Sequence, residues 1–355
     1  MDGKESVMQV GARLLFPICG PNVSGPRVCI LAGTHGDELI GMEVLRHLLG
    51  AFGVPVPTFP VTAQEAARAF LEWLGSLQEA ERMSRCSDAI SGTLVLGIGN
   101  PAAVYRGTRA ASDGIDLNRC FFEERLRDTS EVMVCADLIR AREIAPVLER
   151  CDALLDLHSF RARIPGGAPL VCFGRDDAAH RNLYQRFPVE RILTDPDNVL
   201  GSDVRSERLA TTDAWVDAHG GVGLCYETGY DGDFSRVKET VAVAARFLVA
   251  TGVTDQASLH ELGLKPFFGI PRTQRVFRLA HCEVARYLPG FTYADGMMEN
   301  WRCVQSGEYI GGYADGHGDS VYAPRSGCLV LQTPPEKVVP GRSLFYLAES
   351  VDPTK

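Results

Sequence analysis

The chain has 355 residues, of which 45% are hydrophobic, and its formal net charge at neutral pH is −9. This length is sufficient for one large domain and one smaller domain, each with its own hydrophobic core. Lys and Arg are scattered without a basic run, so the composition argues against nucleic acid and against an anionic membrane as partners.

Two further features of the sequence bear on cellular location. The first residues, MDGKESVMQV, lack the charged-then-apolar pattern of a secretory signal, and no stretch is long and apolar enough to span a membrane. The 11 cysteines are an odd number, are dispersed and include no C-x-x-C pair. We therefore expect a cytoplasmic protein whose cysteines are mostly core residues, and neither a disulfide framework nor a structural zinc knuckle.

Strand-like and helix-like stretches alternate as far as about residue 252. Short apolar runs predict buried strands at 27–33, 93–100, 152–158, 169–174 and 221–227, the second of which we expect Pro101 to end. Apolar residues at helical spacing predict helices at 37–50, with Gly50 as the stop, from 129 or 130 to about 150, and at 233–252. The alternation predicts an α/β fold with a mostly parallel sheet and helices on both faces.

Two segments depart from this alternation. Residues 51–92 form a long insertion, in which a Pro-rich stretch leads into a good helix former without polar groups that suggest chemistry. After about residue 265, short β-like pieces alternate with Gly, Pro and Asp turns, which predicts a compact all-β module. We therefore expect a catalytic domain over residues 1–264, with the insertion as a packing or lid element, and a β domain over 265–355.

Four residues able to hold or assist a metal ion lie at the ends of predicted strands. His35 and Glu38 follow the first strand, His158 closes the strand at 152–158, and Glu227 closes the strand at 221–227. Because ligands bind beyond the carboxyl ends of the strands in an open parallel sheet, these side chains are expected to converge. Two His and one Glu are a known ligand set for a hydrolytic zinc ion, which leaves a fourth position open for water.

Each of these residues also has an ordinary structural interpretation. His35 can be a turn residue, and Glu38 can simply complement the dipole at a helix N-terminus. A single buried histidine such as His158 is more often a hydrogen-bonded core residue than a ligand. The metal site is therefore predicted by the convergence of the strand ends and by no single residue.

Asp156 interrupts the apolar run ALLDL two residues before His158, so both side chains point to the same face of a strand. A carboxylate in a buried strand requires a partner. That partner is either the ring nitrogen of a metal-binding histidine or another polar group in a purely structural hydrogen bond.

The stretch GTRAASDGIDLNRCF, residues 107–121, brings Arg109, Asn118 and Arg119 close together in sequence. Arginine binds carboxylates through two parallel hydrogen bonds, and an asparagine amide adds a further donor. These residues are candidates for substrate binding, although surface Arg and Asn residues usually have no such role.

Four motifs in this order, GTHGDE, DLNR, LLDLHS and YETG, resemble the succinylglutamate desuccinylase/aspartoacylase family of the zinc carboxypeptidase-like superfamily. The resemblance covers roughly residues 25–250 and extends to the C-terminal module through APRSGCLV and PGRSLFYLAE. Each motif alone is weak, whereas the four together in this order are specific.

The resemblance implies one zinc ion per chain, bound by His35, Glu38 and His158. It makes Glu227 the general base and acid for a metal-activated water and Arg109 the group that polarises the scissile carbonyl. It makes Asn118 and Arg119 the clamp for a substrate carboxylate. The implied reaction is hydrolysis of a small N-acyl amino acid or a related amide that carries a carboxylate, and a homo-oligomer is compatible with the sequence.

Two alternatives use the same fold: a zinc carboxypeptidase that acts on short peptides, and a catalytically inactive binding protein. A nucleotide-binding oxidoreductase is not supported, because LGIGNP at 96–101 lacks the third glycine of the dinucleotide fingerprint. The intact metal and acid positions favour an enzyme over the inactive binding protein.

Overall fold

The structure is a computed structural model that describes residues 14–22, 24–58, 63–77, 85–112, 115–127, 135–160, 169–175, 177–200, 210–264, 273–287, 290–314 and 319–351. The chain divides into two compact units, and each is described separately. Of the described residues, the first unit holds 14–160, 177–188 and 210–264, and the second holds 169–175, 189–200 and 273–351.

The strands, numbered along the chain, are β1 (Leu15–Cys19), β2 (Arg27–Ala32), β3 (Thr93–Ile98), β4 (Ala153–Phe160), β5 (Leu170–Phe173), β6 (Arg191–Thr194), β7 (Val222–Tyr230), β8 (Arg275–Val284), β9 (Phe291–Tyr293), β10 (Cys303–Val304), β11 (Tyr309–Tyr313), β12 (Ser320–Tyr322), β13 (Gly327–Val330) and β14 (Ser343–Ser350). The α-helices are α1 (Ile40–Ala51), α2 (Ala63–Ser76), α3 (Pro101–Arg106), α4 (Glu123–Arg127), α5 (Ala136–Leu148), α6 (Ala178–Tyr184), α7 (Thr212–Ala218), α8 (Val237–Ala250) and α9 (Gln256–Glu261). Single 3-10 turns lie at Leu117–Arg119, Phe234–Arg236 and Pro335–Lys337.

The sheet of the first unit has the strand order β1-β3-β2-β4-β7. Strands β3, β2, β4 and β7 are mutually parallel, and β1 pairs with β3 in the antiparallel direction. The β4–β7 register places His158 directly beside Glu227. Because neighbours in register point to the same face of a sheet, these two side chains lie on the face that also carries Asp156.

Helices cover both faces of this sheet, as the sequence predicts. On one face, Trp215 of α7 and Leu138 of α5 belong to a core with Leu31 and Leu154 of the sheet. On the other face, α1 lies so close to β2 that a Cβ atom on Gly41 would be 2.9 Å from the Cβ of Ala32. Burial of each large apolar side chain in such a core contributes about 1.5–3 kcal/mol.

Helix α1 forms for the reason that its sequence predicts, since Ile40, Val44, Leu45 and Leu48 are all buried on one face. Its predicted stop is wrong. Gly50 lies inside the helix, and the turn that follows places Gly53 at φ +77°, which a glycine adopts without the strain a Cβ causes.

Three further predictions about element ends are corrected. His158 and Glu227 do not close their strands, because β4 continues to Phe160 and β7 to Tyr230. Pro101 begins helix α3 instead of only ending a strand. Proline is suited to the first turn of a helix, because backbone N–H groups in that turn have no partner within the helix and the one that proline lacks is not missed. The side chain of Asn100 caps the same helix by accepting from the N–H of Ala103.

Other predicted elements agree with the structure within a few residues. The helix predicted from residue 129 or 130 begins at Ala136 within the described residues, and residues 128–134 lie outside them. The insertion contains helix α2, as its composition predicts, while residues 59–62 and 78–84 of it lie outside the described residues.

The second unit is built mainly from antiparallel strands. Its strands follow the order β5-β6-β8-β14-β13-β10, in which β5, β6 and β8 are parallel and the remaining pairs are antiparallel. A separate three-stranded antiparallel sheet has the order β12-β11-β9. The C-terminal β module predicted from the sequence is therefore present, and the boundary proposed near residue 265 stays a prediction.

Among the described residues, no helix is both long enough and apolar enough to cross a membrane.

Candidate active site

The loop between β2 and α1 carries the first two candidate ligands. Gly33 has φ +63°, and a Cβ atom on Gly36 would lie 1.9 Å from the carbonyl carbon of Ala103, so both positions of the GTHGDE motif require glycine. The close approach to α3 fixes the path of the loop. His35 and Glu38 are thereby held at the carboxyl end of β2, and they are 4% and 5% exposed.

The structure brings His35, Glu38 and His158 together. His35 Nδ1 lies 2.8 Å from Glu38 Oε1, His158 Nδ1 lies 3.0 Å from Glu38 Oε2, and the two Nδ1 atoms are 3.1 Å apart. One ligand atom from each residue lies within 4.8 Å of the others. Ligands at about 2.0–2.1 Å from one tetrahedral zinc ion are roughly 3.3 Å apart, which is close to the spacing of these donors.

A carboxylate lies against the far nitrogen of each imidazole. His35 Nε2 lies 3.2 Å from Asp116 Oδ1, and His158 Nε2 lies 3.1 Å from Asp156 Oδ2. Metal-binding histidines in proteins are commonly oriented in this way by a carboxylate, which fixes the ring and increases the basicity of the ligating nitrogen. The two carboxylates therefore turn both Nδ1 atoms toward Glu38.

Asp156 is completely buried and is itself held by two hydroxyl groups. Thr34 Oγ1 donates to Asp156 Oδ1 at 2.9 Å, and Thr212 Oγ1 donates to Asp156 Oδ2 at 2.6 Å. Of the two partners considered for this carboxylate in the sequence, the histidine ring lies within ion-pair distance, and the two threonines donate the hydrogen bonds.

The electrostatics of the cluster favour positive charge. Burial acts to lower the pKa of His158, but Asp156 and Glu38 outweigh it and raise the pKa well above its ordinary value. Burial acts to raise the pKa of Glu38, but His35 and His158 lower it. A divalent cation meets the same electrostatic demand as the ring protons that it would replace, so the donor set fits a zinc ion.

Glu227 lies beside these donors in the β4–β7 register. Its Oε2 atom is buried and makes no hydrogen bond to the part of the chain that the structure describes. Burial raises the pKa of Glu227 to about 7, and the Glu38 carboxylate adds to this effect. A carboxyl group whose pKa lies near neutrality can both accept and donate a proton at physiological pH.

Arg109 reaches the same cluster from the loop after α3. Its Nε donates to Asp116 Oδ2 at 2.9 Å, and its Nη1 lies 3.7 Å from Glu38 Oε1. Half of the side chain is exposed to solvent. The guanidinium group therefore borders the donors while it keeps N–H groups on an accessible side.

The loop that carries Arg109 is anchored by Asp137, a completely buried residue of α5. Asp137 accepts hydrogen bonds from Asn100 Nδ2 at 2.7 Å, from the N–H of Ala111 at 3.0 Å and from the N–H of Ser112 at 2.9 Å. The Ser112 hydroxyl also donates to it. One buried carboxylate therefore fixes both ends of the segment from α3 to residue 112.

Asn118 and Arg119 lie on the 3-10 turn that Asp116 caps. Asn118 Oδ1 accepts from the N–H of Thr212 at 2.9 Å, which leaves the amide NH₂ as the group able to face a ligand. Arg119 is partly buried, and its Nη1 donates to the backbone oxygen of Asn118 at 2.8 Å. The structure therefore places both residues next to Asp116, the carboxylate that also accepts from Arg109.

Sequence reasoning missed several residues that shape this site. Asp116 is part of the DLNR motif and has no predicted role, yet it contacts both His35 and Arg109. Asp231, just after YETGY, accepts from the N–H of Leu39 at 2.6 Å and from the Ser159 hydroxyl at 2.8 Å. Asp116 lies inside the DLNR motif and Asp231 lies two residues after YETG, and this position in or near a motif is the signal that the sequence offers.

The fold and the site together define an α/β protein with a His-Glu-His group at the carboxyl edge of a parallel sheet. Residues 72–182 match the model of the succinylglutamate desuccinylase/aspartoacylase catalytic domain. This segment includes Arg109, Asn118, Arg119 and His158, while His35, Glu38 and Glu227 lie outside it. The match confirms the family resemblance that the four motifs indicate.

Several solved structures share the fold. A succinylglutamate desuccinylase/aspartoacylase from Rhodobacter sphaeroides has a TM-score of 0.60 at 17% identity, and the alignment covers 96% of this chain and 88% of that chain. The ectoine utilization protein EutE from Ruegeria pomeroyi, in a product-bound structure, has a TM-score of 0.61 at 17% identity over 94% and 88% of the two chains. A succinylglutamate desuccinylase from Vibrio cholerae has a TM-score of 0.56 at 17% identity over 93% and 83%. No curated protein sequence matches the chain.

Proposed function

We propose that the protein is a zinc-dependent amidohydrolase that cleaves the amide bond of a small N-acyl amino acid or a related amide bearing a carboxylate. The observation that carries this proposal is the convergence of His35, Glu38 and His158, with Glu227, whose Oε2 atom is buried, beside them in the sheet register. The names of the matched family and of the similar desuccinylases support the same class of substrate.

His35 Nδ1, His158 Nδ1 and a Glu38 oxygen would hold one zinc ion per chain. When bound, the ion supplies Lewis-acid chemistry, because it lowers the pKa of water and polarises a carbonyl oxygen. Asp116 and Asp156 keep both rings oriented so that their Nδ1 atoms face Glu38. The chain thereby holds the ligand set in place before any substrate arrives.

Glu227 takes a proton from the attacking water and delivers it to the nitrogen of the leaving amine. The reaction adds water across the amide bond, so it releases one carboxylic acid and one amine. A single carboxyl group can perform both transfers because its pKa of about 7 lets it accept a proton and also give one up near neutral pH.

Arg109 stabilises the negative charge that develops on the carbonyl oxygen, through N–H groups on its exposed side. Asn118 and Arg119 bind the carboxylate of the amino-acid portion. The binding energy of that carboxylate then orients the amide bond for attack.

The experiment that tests this proposal measures zinc in the purified protein and then hydrolysis of N-acyl amino acids. We expect one zinc ion per chain by elemental analysis, its loss in His158→Ala, and its retention in the matched control His219→Ala. We also expect N-acetyl or N-succinyl amino acids to be cleaved in preference to dipeptides.

Preferential cleavage of dipeptides would instead favour the carboxypeptidase alternative. Absence of stoichiometric zinc after the ion is supplied would remove the metal site and favour an inactive binding protein. The cytoplasmic location and the homo-oligomer stay predictions.

A further inference from the structure

Two cysteines of the second unit face each other on neighbouring antiparallel strands. Cys303 of β10 lies directly opposite Cys328 of β13, and their Sγ atoms are 3.0 Å apart. These cysteines lie outside the candidate active site, and no role proposed above uses them.

The type of strand pairing favours a bond between these two side chains. On the neighbouring rung, the N–H of Leu329 donates to the oxygen of Arg302 at 2.8 Å. Hydrogen-bonded and non-hydrogen-bonded rungs alternate in an antiparallel ladder, so the cysteines occupy a non-hydrogen-bonded rung. Such a rung separates Cα atoms by about 4.5 Å, within the range of about 4.4–6.8 Å that a disulfide spans.

The two thiols differ in access. Cys303 is exposed, whereas Cys328 is buried with 8% of its surface exposed. Burial and the hydrogen bond with Cys303 raise the pKa of Cys328 to about 12, while Arg191 and Arg275 act in the opposite direction. Cys303 is therefore the thiol that a dissolved reagent can reach, and Cys328 is a buried thiol in contact with it.

We propose that Cys303 and Cys328 are a site of reversible oxidation, at which a small-molecule disulfide converts the two thiols into one cross-strand disulfide. The bond would join β10 to β13 at a position where the strands already bring the sulfur atoms into contact.

The chemistry is two successive thiol–disulfide exchanges. The Cys303 thiolate attacks one sulfur of the small disulfide, which forms a mixed disulfide and releases the first small thiolate. The Cys328 sulfur then loses its proton and attacks the Cys303 sulfur, which releases the second small thiolate. The protein loses two hydrogens in total, and the small disulfide is reduced to two thiols.

The second step is intramolecular, and this favours closure of the protein disulfide over a lasting mixed disulfide. Formation of the mixed disulfide removes the hydrogen bond between the two thiols, which is one of the two main causes of the raised pKa of Cys328. The two arginines then stabilise the thiolate that attacks.

Cys29 and Cys151 provide an internal comparison. Cys151 is the largest cause of the raised pKa of Cys29, but the two residues are 0% and 6% exposed in the core of the first unit. The thiols are thus close together in both pairs, but of these four thiols only that of Cys303 is exposed to a reagent in solution. A reagent in solution should discriminate between the two pairs in the folded protein.

The test treats the folded wild-type protein with glutathione disulfide, quenches with acid, blocks the remaining thiols and maps peptides without reductant. We expect a cross-linked peptide that contains Cys303 and Cys328, its loss on addition of dithiothreitol, and no bond between Cys29 and Cys151. Cys328→Ser should retain glutathione on Cys303, and Cys303→Ser should leave Cys328 unmodified.

Two outcomes would overturn the proposal. One is glutathione that remains on Cys303 of the wild-type protein without closure. The other is a bond between Cys29 and Cys151 that forms as fast as the bond between Cys303 and Cys328, because this would attribute both to unfolding. The peptide map of the wild-type protein tests the proposal even if a serine variant folds poorly.

Discussion

The Nε2 atom of His158 lies 3.1 Å from Oδ2 of Asp156, a carboxylate with no exposed surface. The two residues are separated by one position in β4, so the pleat of a single strand sets the ring of a candidate ligand against its carboxylate. Thr34 and Thr212 hold the other lone pairs of that carboxylate. The orientation of the ring therefore depends on three elements of the first unit.

Asp156→Asn should weaken zinc binding by roughly 10- to 100-fold, since the amide keeps the shape of the carboxylate but loses its charge. Competition with a chromophoric chelator measures the dissociation constant. Asp152→Asn is the matched control, because Asp152 precedes the same strand and its carboxylate accepts from the backbone N–H of Arg27 and contacts no candidate ligand among the described residues. Equal affinity in both variants would show that Asp156 is a structural residue.

Glu227→Gln should retain zinc and lose turnover by about 100- to 10,000-fold, because the amide cannot accept the proton from water. Its unfolding temperature should be equal to or above that of the wild type, since the substitution removes an acid whose ionised form is destabilised by burial. Calorimetry and steady-state kinetics measure the two effects. Turnover close to that of the wild type would remove Glu227 from the mechanism.

Arg119→Ala should raise KM mainly for substrates that carry a carboxylate, and should change kcat/KM for neutral amides little. The physical reason is the loss of a forked cation that pairs with the carboxylate. Arg127→Ala is the matched control, because Arg127 is 80% exposed and pairs with Glu123 on the surface. An equal loss on charged and neutral amides would contradict the role of Arg119 as a carboxylate clamp.

The sequence predicts those site residues that stand out as polar residues within or just after an apolar run. Asp156 is visible because a charge stands in an apolar run, His35 because it follows a buried strand, and His158 because a histidine ends an apolar run. Asp116 is not visible, because its contact with His35 spans 81 positions of the chain. Asp137 is hidden for a different reason, since an acid in the first turn of a helix usually complements the dipole.

The same holds for the fold: elements with a clear local pattern are predicted, whereas features that depend on pairing between distant strands are not. The strands and helices with long apolar patterns are predicted within a few residues. Strand β1 is not among the predicted strands. It contains Pro17, which is tolerated there because β1 lies at the edge of the sheet. The continuation of β4 past His158 depends on pairing with β7, which no local pattern records.

Asp137→Asn should lower kcat/KM by roughly 10- to 100-fold with unchanged zinc content, because the loop that carries Arg109 loses its anchor. The free energy of unfolding should fall by about 1–3 kcal/mol, since buried N–H groups lose an acceptor. Glu149→Gln, at the exposed end of the same helix, is the control. In an Arg109→Ala background the same substitution should cost little further activity, and full additivity of the two losses would show that Asp137 does not act through Arg109.

His180 provides a test of stability that does not involve His35, Glu38 or His158. Its ring lies 2.9 Å from Asp177 and 3.0 Å from Asp217, and Asp217 also accepts from the N–H of Gly223 in β7. Burial acts to lower the pKa of His180, but the two carboxylates outweigh it and raise the pKa above its ordinary value of 6.5. The stabilisation by the charged ring is therefore fully present below about pH 6.5 and is lost as pH rises through the higher pKa of the folded state.

His180→Gln should accordingly lower the free energy of unfolding by about 1–3 kcal/mol at pH 5.5, and by less at pH 9. Denaturant unfolding at several pH values measures the difference between wild type and variant. His219→Gln is the matched control, because His219 contacts the backbone oxygen of Trp215 and its ring is tilted against the Trp215 ring, with centroids 4.3 Å apart. A deficit for His180→Gln that stays constant from pH 5.5 to 9 would show that the ring acts as a neutral hydrogen-bond partner and that its charge contributes nothing to the fold.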